Sequence, residues 1–352
     1  MSPLRSTLSR ALSCALLTAA ADVDASPWTL PPGTLVVNGS YTYQSATQEF
    51  IESGGARSFP LRGRYVGNTY SLNVRFAPVE GLEFELGVPV RTVSYTSDPV
   101  LLLARPSGSA EPELDYYQRN VLNLSRTASG IGDLSVAARW RAMLQPFPLA
   151  LELRAKVPTG YAQPQGTFGS RPATRDEFVA DIPRWVAPEN VRDDVTLGDG
   201  QLDLGFNVLL GYAFRTRTFV RVDAGYNLRL GSAGDQVLSA VRAGQGIGER
   251  VLLYGWVQLA YTVTEGRPLG VSVAAIDPDL PAAEYSGARN LLLRELRLER
   301  DQLDVGGGVI LRITREVELN LGYARTLWGR NTAAVDSLSV SIGVRTNFRG
   351  YR

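Results

Sequence analysis

Leu202-Asp203-Leu204-Gly205-Phe206-Asn207-Val208-Leu209-Leu210-Gly211-Tyr212 runs through a short break into Val220-Arg221-Val222-Asp223-Ala224-Gly225-Tyr226-Asn227-Leu228-Arg229. In the first stretch Leu202, Leu204, Phe206, Val208, Leu210 and Tyr212 alternate with Gln201, Asp203 and Asn207. In the second, Val220, Val222, Ala224, Tyr226 and Leu228 alternate with Arg221, Asp223, Asn227 and Arg229. A period of two is a β-strand with one apolar face and one polar face. Each stretch is about ten residues long, the length a tilted strand needs to cross a membrane.

The same pattern returns on both sides. Upstream it reads Leu35-Val37-Gly39-Tyr41-Tyr43, Tyr70-Leu72-Val74-Phe76, Leu82-Phe84-Leu86-Val88-Val90, Leu134-Val136-Ala138-Trp140 and Leu149-Leu151-Leu153-Ala155-Val157. Downstream it reads Leu252 to Tyr261, Leu269-Val271-Val273-Ala275, Leu303-Val305-Gly307-Val309-Leu311, Val317-Leu319-Leu321-Tyr323 and Leu338-Val340-Ile342-Val344-Thr346-Phe348. Together these predict about twelve antiparallel strands.

The expected connections alternate in length. Short ones fall at Ala77 to Gly81, Met143 to Pro148, Ala213 to Thr218, Thr262 to Pro268 and Thr314 to Glu316. Longer ones fall at Ser45 to Gly63, Thr92 to Ser129, Gly160 to Gly198, Gly231 to Arg250, Asp277 to Asp301 and Gly329 to Ser337. Short periplasmic turns and long extracellular loops are the signature of an all-β transmembrane barrel in a bacterial outer membrane. Phe76, Trp140, Tyr212 and Tyr261 fall at the short-turn ends, as an interfacial girdle requires. A soluble barrel would alternate as well. The charge-dense polar face, the strand length and the unequal loops favour lipid outside and a polar lumen inside.

Composition narrows the function. The 352 residues carry 36 Lys+Arg and 35 Asp+Glu, a formal charge of +1, so there is no basic footprint for nucleic acid. There is no histidine, which removes the Ser-His-Asp triad, the Cys-His pair and His-ligated zinc. The single cysteine, Cys14, lies in the apolar run Ala11 to Ala21 behind Arg5 and Arg10, and Val23 and Ala25 follow as small residues. Residues 1–25 therefore read as a cleaved signal peptide, and 26–352 as the barrel. Neither a catalytic set nor a cofactor site is expected, and the chain reads as a non-enzyme. Asp193, Asp194 and Asp199 lack EF-hand spacing and read as a solvated loop. Gly306-Gly307-Gly308 reads as relief of crowding, or a bend, in the wall.

The candidate site is the polar face: Glu83, Glu85, Arg91, Arg139, Arg141, Glu152, Arg154, Lys156, Asp203, Arg221, Asp223, Arg229, Arg312 and Glu318. Charges of both signs inside a barrel must be hydrated or paired. Two layers are expected. Glu83, Glu85, Arg139, Arg141 and Glu318 lie near the periplasm; Arg91, Glu152, Arg154, Asp203, Arg221 and Asp223 lie at mid-depth. They either form a constriction that sets selectivity, with arginine favouring anions, or cross-link a sealed wall.

Gly130-Ile131-Gly132-Asp133-Leu134 opens a strand that turns into Leu149-Ala150-Leu151-Glu152-Leu153-Arg154-Ala155-Lys156-Val157-Pro158-Thr159-Gly160, and Leu197-Gly198-Asp199-Gly200-Gln201-Leu202-Asp203-Leu204-Gly205-Phe206 follows. In these motifs the chain resembles the outer-membrane barrel family labelled for the meta-pathway of phenol degradation, often called transporter-like. The resemblance implies a channel or transporter-like barrel passing small solutes, apolar or aromatic compounds among them. The alternative is a structural or surface-binding barrel with a sealed, ion-paired lumen. The implied partners are outer-membrane lipid, the outer-membrane assembly machinery and a small-molecule solute. One departure is that Phe348, the aromatic which that machinery would read, is followed by Arg349-Gly350-Tyr351-Arg352.

Overall fold

The structure, a computed structural model, describes residues 27–51, 54–101, 107–161, 197–276 and 291–348. The expected signal peptide, Asp193 and Asp194 lie outside the described residues.

Twelve strands close into one barrel. They are β1 (Thr34–Ala46), β2 (Arg64–Val79), β3 (Leu82–Thr96), β4 (Arg126–Ile131, continuing as Leu134–Met143), β5 (Leu149–Val157) and β6 (Leu202–Ala213). The circuit continues with β7 (Thr218–Leu230), β8 (Gln236–Ile247), β9 (Val251–Thr262), β10 (Asp301–Arg312), β11 (Val317–Arg330) and β12 (Asp336–Asn347). Every strand pairs antiparallel with the next, and β12 returns to β1 through the register Thr34↔Asn347 to Ser45↔Asp336. Closure leaves no sheet edge along the circuit, the condition for a sheet to stand in hydrocarbon.

The side-chain alternation gives the wall its two faces. Outward, Leu72, Trp140, Leu153, Leu204, Phe206, Val241, Val257 and Ile342 are exposed. Inward, Asn73, Glu83, Arg139, Glu152, Asp203, Arg221 and Ser341 are buried. A water-soluble barrel has the opposite arrangement. An apolar outer belt around a closed antiparallel circuit is the build of an outer-membrane barrel, and that is where this chain resides.

Strand β4 is broken by a bulge. Val90 pairs with Ile131 and Gly87 with Ser135, so Val88 and Pro89 face three residues, Gly132, Asp133 and Leu134. Pro89 has no N–H to give the ladder, although its carbonyl accepts from Gly132 N–H at 2.9 Å. The extra residue turns Asp133 inward and keeps Leu134 outward.

Two expectations about individual strands are corrected. Leu269-Val271-Val273-Ala275 does not cross the membrane: Gly270–Ile276 pairs with Leu291–Leu296 in a separate two-stranded ribbon. The stretch expected as a long loop, Gly231 to Arg250, instead contains β8, bounded by connections at 231–235 and 248–250. Its alternation is faint because Ser239, Ala243 and Gln245 share the outer face while Leu238 and Ala240 share the inner one. The expected count of twelve is right, with one strand exchanged for another. Tyr261 consequently sits at the long-loop end, and residues 263–300 form an outer connection. Leu291–Leu296 form the other strand of that ribbon.

Leu204→Arg and Val241→Arg place a charge on the lipid face and should each cost about 2–4 kcal/mol of folding stability near mid-membrane. Denaturant titration in lipid vesicles measures this. An unchanged midpoint for Val241→Arg would remove β8 from the bilayer.

Candidate functional site: the lumen and its floor

All the candidate lumen residues lie on barrel strands with inward parity. All but Arg141, Arg312 and Glu318 gather into two knots that differ from the expected layers. The lower knot centres on Arg139 of β4. Its guanidinium reaches Glu83 of β3 at 2.5 Å, Glu85 of β3 at 3.3 Å and Glu152 of β5 at 2.7 Å. Arg75 of β2 meets Glu83 at 2.8 Å, Arg154 meets Glu152 at 3.3 Å, and Asn207 Nδ2 donates to Glu152 at 3.0 Å. Arg221 and Asp223 pair at 2.6 Å within β7. Four arginines thus meet four carboxylates, and the charges balance.

The upper knot lies at the outer-loop ends of β4 to β7. Lys156 contacts Asp199 at 2.6 Å, Asp203 at 2.8 Å and Asp133 at 3.8 Å. Arg229 pairs with Asp199 and lies 3.5 Å from Asp203. Tyr161 donates its hydroxyl hydrogen to Asp133 and accepts from Gly200 N–H, while Arg91 donates to the Leu197 carbonyl at 2.8 Å. Both feet of residues 162–196 are therefore fastened inside the barrel mouth. Burial, with the bond to Asp133, pushes the Tyr161 hydroxyl up. Burial alone would raise the Asp199 carboxyl; Lys156 and Arg229 outweigh it and hold the group below the usual carboxylate range.

Relative to the expected layers, Glu152, Arg154, Arg221 and Asp223 join the lower knot, and Arg91 and Asp203 join the upper. The register explains this, since Glu83↔Arg139↔Glu152↔Asn207 is one continuous row of paired positions. Position within each sequence pattern does not show which residues share that row. Arg141 stays at the short-turn rim, where it meets Glu80 at 2.7 Å. Arg312 and Glu318 pair separately at 3.4 Å.

The ion pairs between strands named here join neighbours, so they line the wall and do not bridge it. The segment that crosses is residues 27–30, before β1. Leu30 N–H donates to Glu83 Oε2 on β3 at 2.8 Å. Trp28 packs in a buried cluster with Phe219 of β7, Leu252 of β9 and Ile310 of β10. Those strands stand opposite β3 in the circuit. Leu30 is 1 % exposed and Trp28 5 % exposed, and the segment meets Glu83 from inside. Sequence reasoning missed this stopper. Pro27-Trp28-Thr29-Leu30-Pro31-Pro32 has no strand periodicity, and nothing local says that Trp28 folds inward.

It also missed the other half of the lumen. From β7 to β11 the inner wall carries Phe219, Tyr254 and Trp256 beside Gly244, Gly306, Gly308 and Gly322. The expected relief of crowding at Gly306 and Gly308 has specific beneficiaries, the Trp256 and Tyr254 rings. Arg242 stands over Trp256, 5.7 Å from the ring centroid.

No family profile matches the chain, and no curated protein matches it. Solved structures do. The COG4313 outer membrane channel from Pseudomonas putida F1 superposes with a TM-score of 0.58 at 12% identity, over 92% of this chain and 100% of that one. The TodX monoaromatic hydrocarbon channel deltaS2 mutant reaches 0.47 at 10% identity, over 91% of each chain. The first is near enough to identify a shared fold, and that fold is an outer-membrane barrel.

Two measurements follow from the knots. Arg139→Met leaves Glu83, Glu85 and Glu152 facing one another and should destabilise by about 3–5 kcal/mol. Adding Glu83→Gln to that variant should recover part of the loss, read from denaturant midpoints. Asp199 has a lowered folded pKa, so its contribution is complete above the ordinary value of 3.8 and is lost only as pH falls through the lower one. The stability gap between parent and Asp199→Asn should therefore stay constant from about pH 8 to pH 5; a gap closing within that window would show that the carboxyl is not held down.

Proposed function

We propose that the protein is an outer-membrane channel for small solutes, apolar and aromatic compounds among them, with its floor closed by residues 27–30. The observation that carries this reading is the division of labour inside the barrel. Charged side chains pair along the wall, while the lumen is crossed by a segment that precedes the strand ladder. A barrel serving only as a scaffold could close its lumen with side chains; a stopper that hangs from β1, with the expected signal peptide removed from its other end, can leave.

The description of the P. putida neighbour as a channel supports the reading. The resemblance to the phenol-degradation barrels supports small aromatic compounds as its solutes. The sealed structural barrel draws support from the lower knot, where Arg139, Glu83 and Glu152 are each 1 % exposed. Arg154 differs, since its side chain keeps 32 % exposure beside Glu152. It is the member of that knot placed to meet a passing ion.

Planar-bilayer recording in a salt gradient tests the reading. The parent should conduct in brief openings with a reversal potential on the anion side. Arg154→Ala should move it toward the cation side, because Glu152 then loses one of its cations. Silence from the parent, together with no uptake of an aromatic solute into loaded vesicles, would favour the sealed barrel.

A further inference from the structure

Three rings lie flat along the inner wall between β7 and β11, each over a glycine of the next strand. A Cβ at Gly244 would stand 2.3 Å from the Phe219 ring. One at Gly308 would stand 2.7 Å from the Tyr254 hydroxyl, and one at Gly306 would stand 2.5 Å from the Trp256 ring. Such approaches are impossible for a real Cβ, so these rings lie where only glycine leaves room. The result is a shallow aromatic face where three large side chains would otherwise fill the lumen.

Trp28 occupies the foot of that face. Phe219 meets it edge-on, with centroids 6.2 Å apart and planes at 84°. Leu252 and Ile310 complete the buried cleft, and Ala213 and Tyr254 pack at its border. Gly211 is the base: a Cβ there would lie 2.5 Å from the indole and 2.8 Å from Pro27. The Tyr254 hydroxyl donates to Asn320 at 3.0 Å and so is held at the cleft's rim. Flat, apolar, edged by an aromatic quadrupole and uncharged, the cleft has the chemistry of a site for a neutral planar ring.

Its present occupant is held as a removable ligand would be. The strand register begins at Thr34, the last backbone bonds to the neighbouring strands are those of Gly33, at φ +76, with Ala77 and Phe348, and Pro31-Pro32 lie beyond them. The buried Thr29 hydroxyl finds no hydrogen-bond partner among the described residues, which weakens the seat. We propose that the Trp28 cleft is a binding site for a neutral aromatic solute of one or two rings, for which Trp28 is the built-in competitor. Binding of the solute expels residues 27–30 from the floor and opens the periplasmic exit. The occupant's own indole defines the size and shape of ring that fits. The inference rests on the channel reading and adds to it a site, a ligand class and a trigger.

The test uses the full chain in planar bilayers, with indole as the probe and cyclohexanol as a ring of like polarity without π electrons. Parent openings should rise saturably with indole and not with cyclohexanol. Trp28→Ala should open without any solute at least about ten times as often as the parent, and indole should add nothing. Trp28→Phe should restore closure, and Phe219→Leu should move the parent's indole response to higher concentration. Heat-modifiable gel mobility confirms that each variant is a folded barrel. An open Trp28→Ala beside a parent blind to indole would overturn the site and leave the channel standing. Equal opening by cyclohexanol would overturn aromatic recognition. A parent and Trp28→Ala that neither conduct nor pass indole would sink the channel reading, and this inference with it.

Discussion

Hydrocarbon offers no partner to a backbone N–H or C=O, and everything else in this molecule depends on that. The pairing of β12 with β1 removes the edge that an open twelve-stranded sheet would expose to lipid. Once the circuit is closed, alternation divides every strand between two solvents. Leu204 goes to lipid and Asp203 to the lumen because they are adjacent, and a slip of one residue would exchange them. The bulge at Gly132 shows how strictly this holds. Pro89 interrupts the ladder, and one added residue in β4 restores both the pairing and the facing of the side chains beyond it.

The second consequence concerns charge. Acidic and basic residues on the inner face are confined together in a small space, and most of those in the lower knot are away from bulk water. The chain answers with exchange between neighbours: Arg139 serves carboxylates on β3 and β5, and Lys156 serves Asp203 on β6. Because each partner sits on an adjacent strand, pairing stiffens the wall without obstructing the space it encloses. The balance of four arginines and four carboxylates in the lower knot makes that wall nearly neutral. Arg154 is the exception in exposure, which is why selectivity is assigned to it and not to the buried Arg139.

How far the fold was legible follows from the same physics. Strands such as Leu202–Ala213 and Thr218–Leu230 announce themselves because lipid and lumen demand opposite chemistry at successive positions. Gln236–Ile247 does not. Its inner face borders the aromatic wall, where Gly244 must yield to Phe219 and where Leu238 and Ala240 need no charge, so the contrast between faces fades. Residues 269–275 alternate without crossing, since a ribbon in an outer connection can be two-faced as well. The alternation that puts charged positions on one face was readable; their partners were not, because the row from Glu83 through Arg139 to Asn207 is set by register between strands.

The least legible feature is the one on which the proposed function turns. Residues 27–30 hold their place through contacts with β3, β7, β9 and β10, which lie between roughly fifty and almost three hundred positions away. No periodicity can encode such a seat. The clue is distributed: a tryptophan before two prolines and a glycine, and far downstream a run of glycines on β10 with Tyr254 and Trp256 facing it across the ladder. The two half-walls then have complementary duties. The charged half, from β2 to β7, fixes the barrel's shape by pairing each group with its neighbour. The aromatic and glycine half, from β7 to β11, keeps its rings flat and leaves one cleft at its foot. A stopper bonded into the charged half throughout would be costly to dislodge, since it would strand buried charge. This one bonds to that half through a backbone amide on Glu83 and packs on Gly211, while its large side chain stands in the apolar cluster of the other half, where the proposed solute would take its place.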